Sequence, residues 1–330
     1  MTWQVRSGRL EEGGGYACLE DVHKGICAMI IDLPTSDDFF TTGWRFLDYG
    51  WSQSVGLLTK VEGTKEWDEE YYRQQAEQEF WELASPALVT SLALVQQGIE
   101  LLLKGCIAQV SPYLLLAQPQ NWPQKDVPFS AFKTIDAQNL VKVYNTVKSS
   151  KLSNEFEKAF NKSREHRNAA FHGVSNSITV PASEILRTVF MAVENLTADK
   201  KWLQIRRSIL EKSPLITFSS LEHDINRQMM ADMEVIVKTF SPEEVEKYTG
   251  FQAGEKSYHC PVCEYTSHKF GGKTYFTKVL TDSSTSIETL YCFCCCRNVE
   301  VITENCQNPI CDSSMAGEDG KCLKCGYMNE

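Results

Sequence analysis

Ten of the chain's 13 cysteines lie between Cys260 and Cys325, and that clustering limits the fold more than any other feature. Only Cys18, Cys27 and Cys106 stand outside it. An odd total, crowded into one region in paired spacings, reads as metal ligation and not as a disulfide framework. His259-Cys-Pro-Val-Cys263 carries one Cys-x2-Cys unit, and Cys292-Phe-Cys-Cys295 carries another. Between them, Thr274 to Leu280 and Ser286 to Tyr291 are rich in β-formers and suit a hairpin. Two knuckles presented this way can bring four thiolates into a tetrahedron around Zn2+. Cys306-x4-Cys311 and Cys322-x2-Cys325 form a second set. Four thiolates leave no open coordination position, so both expected zinc sites are structural and not catalytic. Cys294 and Cys296 stay unassigned: the register of the second knuckle can shift onto them, and His259 or His268 can replace a thiolate. Residues 251–330 are therefore expected to form a small β zinc-ribbon region, a tandem whose lobes lack an adequate core of their own.

Charge and hydropathy narrow the remaining classes. A net charge of −10 over 330 residues argues against a chain that coats nucleic acid along its whole surface. The charge is uneven, however: residues 142–212 carry 13 basic and 7 acidic side chains, which makes this the place to look for a polyanion site. The most apolar stretch, Ala87 to Leu116, is interrupted by Gln96, Gln97, Glu100 and Lys104, so no membrane span is expected. The first residues lack the basic and apolar regions of a signal peptide, which points to a cytoplasmic protein.

The helical pattern begins near Lys65. Residues 1–64 mix short apolar runs with Gly13-Gly14-Gly15 and Pro34, and predict a mixed α/β extension of short strands and loops, with Asp37-Asp38 in a solvated turn. Residues 65–215 predict a helical bundle. Glu66 to Leu83 is followed by a restart at Ser85-Pro86, whose helix carries Leu88, Leu92, Val95, Ile99, Leu102 and Leu103 at helical spacing. Further helices are expected over 136–147, 154–171 and 182–210. Residues 216–250 read as a helical linker with segments at 221–240 and 242–248. The fold class is mainly α, since long amphipathic helices bury their stripes against one another.

One segment of the bundle carries chemistry: Ser163-Arg-Glu-His-Arg-Asn-Ala-Ala-Phe-His-Gly173. Arg164, Asn168 and His172 recur at i, i+4 and i+8 and share a helix face, and Gly173 suits the left-handed position that closes a helix. Arg167 precedes His172 by five residues. Imidazole moves protons near neutral pH, and guanidinium grips phosphate oxygens through paired hydrogen bonds. These parts suit metal-independent RNA cleavage, in which a base activates the ribose 2′-hydroxyl and a cation stabilises the charge on phosphorus. One histidine fills the roles of base and acid poorly, which points to a dimer. The same residues also suit a plain helix end, where the dipole stabilises a histidine.

Arg167-Asn168-Ala-Ala-Phe-His172 resembles the RxxxxH motif of the HEPN family, the higher eukaryotes and prokaryotes nucleotide-binding domains. Gly98-Ile-Glu-Leu-Leu-Leu-Lys-Gly105 is similar to the second long helix of many such domains. The resemblance spans about residues 65–212. It implies an all-α bundle that dimerises with two motifs facing one cleft, and a metal-independent endoribonuclease of the toxin or antiviral kind. Arg167 would hold the phosphate, His172 would be the acid/base and Asn168 the polar helper. Members that have lost catalysis serve as binding modules. Some members carry a modifiable tyrosine two residues after the histidine, where this chain has Val174. The expected partners are RNA, a second copy of the chain through the bundle, and a protein docked at the zinc ribbons.

Overall fold

Two long helices, α1 (Ser36–Glu62) and α2 (Glu70–Ala108), pack antiparallel and close enough to need glycine at their seam. A Cβ on Gly98 would fall 2.2 Å from Leu47 Cδ1 and 2.8 Å from the Gly43 carbonyl oxygen. One on Gly50 would fall 2.5 Å from Val95 and 2.8 Å from the Ser91 carbonyl oxygen. The computed structural model describes residues 29–62, 70–117, 125–172, 180–214, 221–252, 258–270, 274–280 and 288–329.

Within the described part of 1–64, the expected short strands and loops give way to helix. Only Ile30–Ile31 (β1) is a strand there, paired in parallel with Val127–Pro128 (β2). Gly43 and Gly50 look like turn residues in sequence, but they serve close helix packing. With Leu47, Trp51, Ser54 and Val55 they form the buried face of α1. Asp37 and Asp38 lie in the first turn of α1 and not in a free turn. The Thr35 backbone N–H donates to Asp38 Oδ2 at 2.8 Å, and the Asp38 N–H donates to Thr35 Oγ1 at 3.3 Å, a reciprocal cap. The Gly13 to Gly15 run lies outside the described residues.

α2 runs unbroken through Pro86, where the sequence predicts a restart. Proline in a helix removes one N–H and frees the carbonyl four residues earlier. Pro86 and Glu82 are both exposed, so water meets that carbonyl. By length and composition α2 could cross a membrane, yet 56% of its most apolar window is buried inside the fold. The long connection after it folds back through two 3₁₀ turns, Pro112–Leu115 and Phe129–Ala131.

α3 (Ala137–Val147) and α4 (Asn154–His172) pack on α2, and α5 (Ala182–Leu196) packs on α1, α2 and α4. The single helix expected over 182–210 is two, because the chain turns at Thr197 to Lys201 before α6 (Trp202–Leu210). Thr197 Oγ1 holds that turn by donating to the Val193 and Lys200 carbonyls. α7 (Leu221–Thr239) and α8 (Pro242–Thr249) are packed parts of the bundle. Met229, Met230, Met233 and Ile236 of α7 enter its core, which makes 216–250 more than a linker. Trp51 sits centrally, its ring 5.1 Å from Phe190 and 5.4 Å from Trp202.

After α9 (Pro261–Phe270) comes an antiparallel sheet in the order β3 (Thr277–Leu280), β4 (Glu288–Cys292), β5 (Arg297–Thr303), β6 (Met315–Ala316). This bears out the mostly helical chain with a small β region at its cysteine clusters. Its division into cores differs from a free tail. Cys260, Cys263, Cys292, Cys295, Phe276 and Phe293 belong to the same core as the bundle, whereas Tyr258, Leu290, Val301, Met315 and Leu323 form a small separate one.

Candidate functional site

The two cysteine sets converge as their spacing predicts. Cys260, Cys263, Cys292 and Cys295 place their sulfurs within 4.8 Å of one another, and so do Cys306, Cys311, Cys322 and Cys325. In the first set Cys260 and Cys295 are 3.8 Å apart, as are Cys263 and Cys292. In the second, Cys306 and Cys325 are 3.6 Å apart and Cys311 and Cys322 3.8 Å. A tetrahedron with arms of about 2.3 Å has edges of about 3.8 Å, so both donor sets fit a metal ion that prefers four thiolates.

The hairpin expected between the knuckles is present as β3–β4, but the first knuckle stands on a helix. Cys260 and Cys263 sit at the start of α9, while Cys292 ends β4 and Cys295 lies in the β4–β5 turn. The first set is wholly buried, whereas the second is partly buried, with Cys322 covered and Cys325 exposed. Crowding by the thiols of Cys260, Cys292 and Cys295, together with burial, raises the Cys263 thiol far above its ordinary range. A dication at the centre offsets both effects. In the second set, burial opposes ionisation of Cys322, but hydrogen bonds from the Cys325 and Lys324 N–H groups, the Ser313 hydroxyl and the Cys306 thiol together outweigh it and bring the thiol to about 6. The Lys324 N–H lies 3.5 Å from Cys322 Sγ, and the Asn308 N–H 3.4 Å from Cys306 Sγ.

Among the described residues the four converging sulfurs are those with the knuckle spacing. Cys294 is buried with its thiol against Cys292 but is not one of the four converging sulfurs, and its carbonyl oxygen accepts from Arg207 Nη1 at 3.5 Å. Cys296 occupies a left-handed turn position at φ 52° and turns its sulfur towards the Phe293 carbonyl. His259 Nδ1 meets Thr274 Oγ1, outside the tetrahedron. The His268 side chain lies outside the described residues.

At the other candidate site, α4 carries Arg167 and Asn168 together. Arg167 Nε and Nη2 donate to Asn168 Oδ1 at 3.2 and 3.0 Å, and Nη1 donates to Glu100 Oε1 at 3.0 Å. The ion pair is largely shielded, with Arg167 22% and Glu100 10% exposed. Those bonds use three of the five guanidinium N–H donors. Gln96 Nε2 reaches Glu100 Oε1 at 3.5 Å, while Gln96 Oε1 is buried without a hydrogen-bond partner. His172 is the last residue of α4, about 7.5 Å of helix rise beyond Arg167. Its side chain, with Gly173 and Val174, lies outside the described residues.

Glu100 and Gln96 are the site residues that the motif does not reveal. Their signal is polarity at i and i+4 on the buried face of an otherwise apolar helix, visible in sequence only as breaks in a hydrophobic run. The arrangement offers a guanidinium aimed by a carboxylate and an amide, able to exchange the carboxylate for a phosphate oxygen. The chain matches no described protein family, no curated protein and no solved structure.

Proposed function

We propose that this protein is a metal-independent endoribonuclease of the HEPN kind, with Arg167, Asn168 and His172 as its working residues. The observation that carries this reading is the shared helix: Arg167 and Asn168 are hydrogen-bonded on α4, against Glu100 of α2, and His172 ends the same helix. In the reaction His172 takes the proton of a ribose 2′-hydroxyl. The 2′-oxygen then bonds to the adjacent phosphorus as the P–O5′ bond breaks. Arg167 stabilises the phosphorane charge, and His172 of a second copy protonates the 5′-oxygen. The products are a 2′,3′-cyclic phosphate and a 5′-hydroxyl. Both cysteine sets hold structural Zn2+, and the zinc-ribbon region offers a surface for a protein partner. Activity of this class fits growth arrest or antiviral defence.

The pairing of Arg167 with Glu100 favours one second reading, an RNA- or nucleotide-binding module without catalysis, since a carboxylate beside the guanidinium weakens its pull on phosphate. Steady-state cleavage of a labelled RNA by Arg167→Ala and His172→Ala chains separates the two. The nuclease reading expects each to lose at least about 100-fold in kcat. Unchanged turnover in both, or no turnover in the parent chain with RNA binding intact, moves the binding module ahead.

A further inference from the structure

The basic territory of the middle segment is only partly used by the α4 motif, and three of its other cations, Lys200, Arg207 and Lys212, line a groove along α6. Two open cavities of about 500 and 390 Å³ share Lys200, Ile205 and Ser208, and so run into one another along that helix. The larger is walled by α1 and by the ends of α2 and α5, and carries Arg45, Lys200 and Lys212. The smaller reaches the β4–β5 turn of the first cysteine set and adds Arg207 and Arg297. Among the described residues of the lining Asp37 and Glu211 are the acids; Glu211 is taken up by Arg207 at 3.1 Å, and Arg297 is held by Glu222 at 2.7 Å, which leaves Arg45, Lys200 and Lys212 as the open cations. Arg45, Lys200 and Lys212 are exposed and enter no ion pair with another described residue. A positive groove on a chain of net charge −10 is a local inversion that selects anions.

Its floor is not simply polar. Phe40 and Trp44, one turn apart on α1, are half-buried in the same wall as Arg45. Cations interleaved with aromatic faces suit a single strand, whose phosphates meet the cations while its bases stack. The groove lies at the end of the bundle where α5 closes. No described residue of α4 lines the groove, so Arg167 stands outside it, although its partner Glu100 lies two residues from Gly98, which packs on Gly43 beside Trp44 and Arg45.

We propose that the α6 groove, from Arg45 and Trp44 across Lys200 and Lys212 to the β4–β5 turn, binds single-stranded RNA at a site separate from Arg167. This rests on the ribonuclease reading for its ligand and extends it by a second point of attachment. The test uses the full-length, metal-loaded chain carrying His172→Ala, so that the probe stays intact, and a fluorescent oligouridine of about 12 nucleotides. Arg45→Glu, Lys200→Glu and Lys212→Glu are combined, and compared with Lys125→Glu, Lys142→Glu and Lys158→Glu, an equal charge change at exposed positions elsewhere. The groove triple is expected to weaken binding at least about tenfold near 0.1 M salt and to flatten the salt dependence by about two, whereas the control triple changes little. Equal losses in both triples, or none in the groove triple, overturn the groove. Poly-glutamate that competes as well as unlabelled oligouridine overturns it in favour of an acidic peptide. Absence of RNA binding by the parent at low salt overturns the ribonuclease reading and the groove together. Binding lost with the groove in a chain whose His172 form cleaves nothing overturns the nuclease alone.

Discussion

Arg206 shows how much the core depends on single polar residues. It is buried between Asp48 and Asp232, with Nε 2.9 Å from Asp232 Oδ2, and Asp232 also accepts from Trp51 Nε1 at 3.0 Å. Removing one partner of a buried pair leaves an uncompensated charge, so Asp232→Ala is expected to lower stability by about 3–5 kcal/mol in urea unfolding. Asp48 behaves differently. Burial, together with the neighbouring Asp232 carboxylate, raises its carboxyl above the ordinary range against the pull of Arg206. A raised folded pKa gives stability that is present at low pH and lost as pH rises through the raised value. Asp48→Asn is therefore expected to flatten the fall in urea midpoint from about pH 4 upward. At the candidate site, Glu100 both aims Arg167 and offsets its charge. Glu100→Gln is expected to tighten RNA binding while slowing cleavage, and a parallel fall in both would contradict that role. The sequence marks Arg167, Asn168 and His172 through their spacing. It conceals Glu100, because a carboxylate 67 residues away meets Arg167 only when α2 and α4 pack.

Among the elements, those with strong local signals match their expected bounds closely. α8 begins at Ser241, whose Oγ accepts from the Glu244 N–H, and ends at Gly250 with φ 86°. α1 was hidden by its glycines, which local chemistry reads as turns and tertiary packing uses as a seam. Gly98→Ala is accordingly expected to cost about 1–3 kcal/mol in unfolding free energy, because the added methyl meets Leu47 and a backbone oxygen. Pro86→Ala should act in the opposite sense. It restores a helical N–H at an exposed position, and a rise in unfolding free energy of about 1–3 kcal/mol is expected. An unchanged or lowered value would show that the proline ring contributes packing of its own.

For the whole molecule, the unequal placing of the two cysteine sets is the main consequence. The first shares the core of the bundle, and Arg207 ties the two together through Asn226 at 2.8 Å and the Cys294 carbonyl. The second sits beside a small core of its own. Cys263→Ser and Cys311→Ser should each reduce bound metal from two ions per chain to one, read by elemental analysis. Only Cys263→Ser is expected to lower the unfolding midpoint of the helices, followed by far-ultraviolet circular dichroism. Ligand spacing was legible from the cysteines alone, while the fusion of one site with the bundle depends on Phe251, Phe276 and Phe293 meeting the bundle core, which no local pattern announces. The central claim is that the end of α4 cleaves RNA without a metal in the reaction. Its most direct test is RNA cleavage in excess EDTA by the parent chain and by His172→Ala, with bound zinc measured in the same samples and product ends identified. Cleavage by the zinc-loaded parent alone is expected, leaving 2′,3′-cyclic phosphate and 5′-hydroxyl ends. Cleavage that EDTA abolishes while zinc stays bound, or that survives in His172→Ala, would contradict it.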